Sequence, residues 1–261
     1  MQFPENTDFY FVLLIFLVII VTLVLSRKRK KKKRKELSGE LLSERKKFFH
    51  ALIFPCFFLF VIWFVKFIEF GLQADFAHFG IYPGEWKGLT GIITAPLIHD
   101  DIKHLIDNSV PVLVLSVAIF YFYREIAYKI FFIIYFITGS LVWIAGREAY
   151  HIGASGLIYG FAAFLFLSGI IRKNTNLLAI SLLVIFLYGS LIWGILPYDY
   201  SISWESHLMG GLTGFMMAII YKNEGPPRQK YSWEEEEVED KVEVEVEDEI
   251  DDKESLLNRQ S

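Results

Sequence analysis

Seven apolar stretches dominate this chain, separated by short polar segments. The first occupies residues 9–26, and six more follow at roughly 48–70, 102–123, 127–145, 152–171, 177–196 and 204–221. Crossing ~30 Å of hydrocarbon takes ~20 apolar residues in a helix, and most of these stretches approach or exceed that length. Backbone polar groups inside lipid must be satisfied within their own segment, which selects helices. The pattern therefore predicts an all-α membrane protein: one N-terminal transmembrane helix followed by a six-helix transmembrane bundle.

The charged positions orient these spans. An unbroken basic run, RKRKKKKRK, opens at Arg27 and closes at Lys35, directly after the first span. A cleaved signal peptide carries its positive charge on the other side of the apolar run, so the first span is expected to be retained. Lysine and arginine mark cytoplasmic flanks. By that rule the N-terminus lies outside and the C-terminus in the cytoplasm of a plasma (inner) membrane. Arg124 and Lys129, Arg172 and Lys173, then Lys222, Arg228 and Lys230 all fall on the same, cytoplasmic side. The opposite connections, 71–101, 146–151 and 197–203, hold only Lys87 and Arg147. Residues 231–261 alternate valine with glutamate and carry dense negative charge, which predicts a disordered tail. Three regions result: 1–47, the first helix and a basic linker; 48–222, the six-helix core; and 223–261, the acidic tail.

Composition agrees: 54% of the residues are hydrophobic and 17% aromatic, more apolar surface than a soluble core of 261 residues can hide. The net charge of −4 averages the basic run against the acidic tail and so reports on neither. The basic run borders a membrane span, which points to anionic lipid headgroups and away from nucleic acid. A single cysteine, Cys56, excludes an intrachain disulfide and is expected to pack as a small hydrophobe. The connection 71–101 is long for a bundle loop. It mixes Trp86, Leu89, Ile92, Ile93 and Leu97 with glycine and proline, as expected of a segment lying in the membrane interface and shaping lateral access.

Polar side chains inside spans are costly and mark function by default. The second core helix starts from the outer side with His104 and Asn108, four residues apart and on one face. The fourth starts with Gly153-Ala154-Ser155-Gly156, and the sixth with His207 followed by Gly210 and Gly214. The topology puts all of them at one depth, roughly 3–9 Å below the outer surface at ~1.5 Å per residue. A lone serine in a membrane helix is usually a packing group, and a lone histidine an interfacial anchor. Agreement in depth across three helices favours a site. A serine hydroxyl needs a base within ~2.6–3.2 Å to become a nucleophile, and His207 is the candidate. Asn108, His104 and the Ser155 amide are candidate donors for an oxyanion. Tyr159, one turn after Ser155, is placed to stack on the His207 ring. No in-span carboxylate offers itself as a third member, so a dyad is expected. His151, two residues before this stretch, reads as a solvent-facing loop residue.

At these residues the sequence resembles the rhomboid intramembrane serine proteases, in a bacterial form with an extra N-terminal helix. The resemblance is carried by His104-x-x-x-Asn108, then Gly153-Ala154-Ser155-Gly156 with Tyr159, then His207-x-x-Gly210-x-x-x-Gly214, in order on the second, fourth and sixth core helices. It spans residues 48–221. It implies Ser155 as nucleophile, His207 as base, His104 and Asn108 as oxyanion donors, and neither metal nor cofactor. The implied substrates are transmembrane segments of single-pass proteins. His99 matches a structural position of the family's first external loop. Trp86-Lys87 stands where Trp-Arg is frequent, and lysine lacks the planar fork of arginine.

The rival readings are a catalytically silent rhomboid-like factor that binds membrane proteins for quality control, a proton-relay transporter, and a lipid-surface scaffold. Silent relatives typically lack the serine or the histidine, and both are present here. A transporter predicts midplane polar residues and internal repeats, which the sequence lacks. A scaffold would not need the three clustered spans.

Overall fold

The computed structural model describes residues 39–187, 194, 196, 197 and 203–226. The expected N-terminal span, the basic run and the acidic tail lie outside the described residues, as does most of 188–202. The chain divides into two compact units, residues 1–49 and 50–261. In the first, the described residues 39–49 are helical, and Lys47 pairs with Glu44 at 2.5 Å.

The helix that starts there, α1 (Gly39–Leu72), begins nine residues before the apolar stretch expected at 48. Its opening residues, GELLSERKK, are mostly good helix formers, so the helix extends beyond the part that apolarity marks. Within the second unit α1 turns a narrow face inward. Phe54 stacks on Phe120 and meets Phe131 edge-on, with ring centroids 5.1 and 4.9 Å apart. Phe57, Phe60, Phe64 and Phe67 point outward. Cys56 lies on that outward face and is exposed, which corrects its expected packing.

The remaining helices are α2 (Gly91–Thr94), α3 (Ile102–Phe122), α4 (Ala127–Ala145), α5 (Ser155–Ile171), α6 (Thr175–Leu187) and α7 (Trp204–Ile220). Helix α5 packs against α3, α4, α6 and α7. It is apolar on every side, the pattern of a helix enclosed by others, and Phe161, Phe164 and Leu165 are fully buried. Among the described residues, three helices are long and apolar enough to cross a membrane: Leu42–Leu72, Ile102–Phe122 and Ala127–Ala145. Helix α5 has 17 residues and starts at Ser155, not at 152 as expected. At ~1.5 Å per residue it is about 25 Å long, short of the ~30 Å hydrocarbon. The segment before it, 146–154, is non-helical, so Ser155 sits at the helix start.

Two devices hold together the end of the bundle that carries Ser155. The long connection folds as short turns, Ala77–Phe79, Trp86–Leu89 and Ala95–Leu97, around α2. It is laced to α4 and to 146–154. Ile81 and His151 exchange both backbone hydrogen bonds, at 3.0 and 2.9 Å, and the Gly153 amide donates to the Ala95 carbonyl at 2.9 Å. The Trp143 indole donates to the Glu85 carbonyl at 2.9 Å, and the Tyr135 hydroxyl to that of Ile93. The second device is a buried ion pair on α1. Lys66 Nζ meets Glu69 at 2.7 Å and also donates to the carbonyls of His99 and Asp100, at 2.9 and 2.8 Å. Glu69 accepts the Phe76 amide at 2.9 Å, so both ends of the connection are fastened to one helix turn. Trp86, in this connection, is 85% exposed.

At the opposite end Arg172, just after α5, donates to the carbonyls of Pro226, Tyr221 and Glu224. Its guanidinium lies 5.8 Å from the centre of the Tyr123 ring. The ends of α5 and α7 are thereby joined.

Candidate active site

Helices α5 and α7 meet through glycines. A Cβ placed on Gly210 would overlap the Gly156 carbonyl, and one on Gly214 the Gly160 carbonyl. This close approach carries the start of α5 to the start of α7. There the Ser155 hydroxyl and His207 Nε2 are 2.8 Å apart. His207 Nδ1 lies 2.7 Å from the carbonyl oxygen of Gly194. A carbonyl only accepts, so Nδ1 carries the proton and Nε2 presents its lone pair to the serine O–H. The ring stacks on Tyr159, centroids 4.2 Å apart and planes inclined by 12°. His207 is buried, with 6% of its surface exposed.

Of the expected oxyanion donors, His104 lies beside the segment that leads into Ser155. His104 packs against Gly153: a Cβ at that position would lie 2.9 Å from both Cε1 and Nε2 of the ring. Gly153 also holds φ at +98°, a conformation that suits glycine. One N–H of the buried Asn108 amide donates to the His104 carbonyl at 2.9 Å, which leaves its second N–H for another acceptor. The first amides of a helix have no intrahelical acceptor, and the positive end of the dipole lies there. Ser155 and Gly156 occupy that position in α5.

Two buried carboxylates escaped the reading of the sequence. Glu205, two residues before His207, is held by Arg147, whose Nη1 lies 3.2 Å from each carboxylate oxygen. Glu69 is held by Lys66. His207 takes a backbone carbonyl as its third partner, and a peptide oxygen leaves no residue-type signal by which to find it.

His151 is 1% exposed, against its expected solvent-facing position. The β-bridge to Ile81 draws it inward. Its Nε2 meets the Arg147 carbonyl at 3.1 Å and its Nδ1 the Ser203 hydroxyl at 2.6 Å, and Ser203 in turn meets Ser206 at 2.6 Å. Here Nε2 must carry the proton, the opposite tautomer to that of His207. His99 is also 1% exposed, lies edge-on to His104 at 5.1 Å and receives the Ala154 amide on Nε2 at 3.4 Å.

Burial lowers the pKa of both loop histidines. His99 falls to about 3 because it is desolvated, with the positive charges of His104 and Lys66 nearby adding to the effect. His151 falls for the same first reason, partly opposed by its bond to the Arg147 carbonyl. The unfolded chain, with histidines near ~6.5, then binds protons first. Stability is complete above that value, declines as the pH drops through it, and for His99 keeps declining to about 3. Melting in detergent micelles is expected at a lower temperature at pH 5 than at pH 7.5, with a shallower pH slope in His99→Gln. An identical slope in that variant would count against the assignment.

The rhomboid domain model matches residues 86–224. Uncharacterized proteins of Mycobacterium bovis and Mycobacterium tuberculosis are 36% identical over 156 residues, 54% of this chain and 62% of theirs. An uncharacterized protein of Mycobacterium leprae is 29% identical over 173 residues, 62% of this chain and 68% of its own. This chain thus spans about 62% of the length of the first of these relatives. The matched domain runs from Trp86 through α7 and contains Ser155, His207, His104, Asn108 and Tyr159. With more than half of its length matched, this helical membrane protein belongs to the rhomboid family.

Proposed function

We propose that this chain is a serine endopeptidase that cleaves the transmembrane segments of single-pass membrane proteins. The observation that carries the reading is the Ser155 Oγ to His207 Nε2 hydrogen bond of 2.8 Å, with the far ring nitrogen fixed on the Gly194 carbonyl. In the proposed reaction His207 Nε2 takes the hydroxyl proton as Ser155 Oγ attacks the scissile carbonyl carbon. His104, the free N–H of Asn108 and the Ser155 amide stabilise the oxyanion. Collapse breaks the C–N bond, and His207 returns its proton to the leaving amine. Water, deprotonated by the same nitrogen, then hydrolyses the acyl-serine ester. A helical substrate must lose local hydrogen bonds before its carbonyl is accessible, so segments rich in glycine and other weak helix formers are favoured. Tyr159 holds the imidazole plane, while Gly153, Gly156, Gly210 and Gly214 set the helix approach. The same reading keeps the N-terminus outside and the C-terminus in the cytoplasm of a plasma membrane, with residues 27–35 on anionic headgroups.

A fluorophosphonate probe tests this directly. It is expected to label Ser155 in the detergent-solubilised full chain and to leave Ser155→Ala and His207→Ala unlabelled. Absence of label on the wild type, with transmembrane helices still captured, would favour the silent binding factor. Asn108→Ala is expected to lower kcat about 10²–10³-fold with KM little changed, the signature of a donor used in the transition state. A rise in KM alone would instead place Asn108 in ground-state binding.

A further inference from the structure

Beside the dyad lies a second polar cluster that the proposed chemistry does not use. It joins the segment 146–154, which delivers Ser155, to the first turn of α7, which delivers His207. Arg147 Nη1 meets both oxygens of Glu205 at 3.2 Å. The backbone carbonyl of the same arginine holds His151, and His151 holds Ser203. Ser206 belongs to the chain through its hydroxyl, and a Cβ on Gly156 would lie 3.1 Å from its carbonyl oxygen. Glu205 has a side chain 3% exposed and Arg147 one 27% exposed, so the pair is largely withdrawn from water. Residues two apart on a helix do not share a face, so Glu205 grips α7 on a side other than that of His207.

Resting on the protease reading above, we infer that Arg147, with Glu205 as its partner, is a positioning residue that fixes the start of α7 so that His207 stays within hydrogen-bond reach of Ser155. The dyad spans two helices, and its geometry depends on both helix starts being pinned. The α5–α7 glycines pin the helix bodies from Gly156 inward, whereas Arg147–Glu205 and His151–Ser203 pin the outermost turn of α7. A loss of about 1 Å in the placement of reacting groups costs roughly 10²-fold in rate. Lysine would keep a positive charge opposite the Glu205 carboxylate, the part of the tie that the two 3.2 Å contacts supply.

The test separates holding the helix from merely stabilising the fold. Arg147→Met alone leaves a buried carboxylate unpaired and lowers stability. Arg147→Met combined with Glu205→Leu removes both charges, which restores stability but not the tie. The double variant is expected to melt close to the wild type, to turn over a transmembrane substrate about 10²-fold more slowly with KM unchanged, and to exchange the amides of 204–208 faster. Arg147→Lys is expected to recover most of the turnover. Wild-type kcat in the double variant, or unchanged amide exchange, overturns the inference while the protease reading stands. Turnover that survives Ser155→Ala overturns the protease reading instead, and the exchange measurement still decides whether the pair holds α7.

Discussion

Ser155→Ala, His207→Ala and the double variant are expected to lose turnover by about the same factor, on the order of 10⁴ or more. The equality matters more than the size. A base with no hydroxyl to deprotonate does nothing for the reaction, and a serine without its base remains an alcohol of ordinary reactivity. Two groups that act as one unit therefore share one loss between them. Initial rates on a fluorogenic transmembrane peptide, with the three proteins purified side by side, decide the matter. If the two single losses multiply in the double variant, Ser155 and His207 act independently and the 2.8 Å bond is incidental to the chemistry.

The second large effect is expected at the helix crossing. Valine at Gly210 or Gly214 would put its Cβ onto the carbonyl oxygen of Gly156 or Gly160. Backbone cannot yield as a flexible side chain can, so α7 must move away from α5. Overpacking of this kind costs about 1–3 kcal/mol of stability. Gly210 follows His207 by less than a turn and Gly156 directly follows Ser155, so the same movement lengthens the dyad hydrogen bond. An additional loss of roughly 10²-fold in kcat is expected. Gly211 is the internal control, because a Cβ there meets nothing within 4 Å. Gly211→Ala is expected to keep full turnover and to gain up to about 1 kcal/mol from helix propensity. Thermal melting and turnover of the three variants check this, and a Gly211→Ala protein as impaired as Gly214→Val would mean that the crossing is not what sets the site.

The members of the site were legible in the sequence for a specific reason. Lysine and arginine bias assigned each candidate an expected depth along the membrane normal, and Ser155, His207, His104 and Asn108 were assigned the same one. Depth is one coordinate of three, and the rest of the arrangement lay in the other two. The Gly194 carbonyl could not be foreseen because every residue has one. Arg147 and Glu205 lie 58 positions apart, on a connection and a helix start whose meeting depends on how 71–101 and 146–154 are laced together. His151 looked like a loop residue because it is one, and the bridge to Ile81 with the bonds to Arg147 and Ser203 holds it inside. Hydropathy misjudged where helices start for a related reason. It reports what the lipid touches, whereas α1 continues past the apolar stretch and α5 begins inside it.

The Gly194 carbonyl carries one more consequence. An aspartate in its place would add a permanent anion, and within the membrane, where the site is expected to lie, each ionised group costs a few kcal/mol to insert, about 2.5–3.5 on translocon scales. A peptide dipole orients the imidazole without that charge. On the protease reading the pair is electrically silent at rest, and during the proposed turnover positive imidazolium and negative oxyanion arise and vanish together. Such a site is compatible with ordinary insertion of α5 and α7, because it asks the bilayer to tolerate ions only for the lifetime of an intermediate.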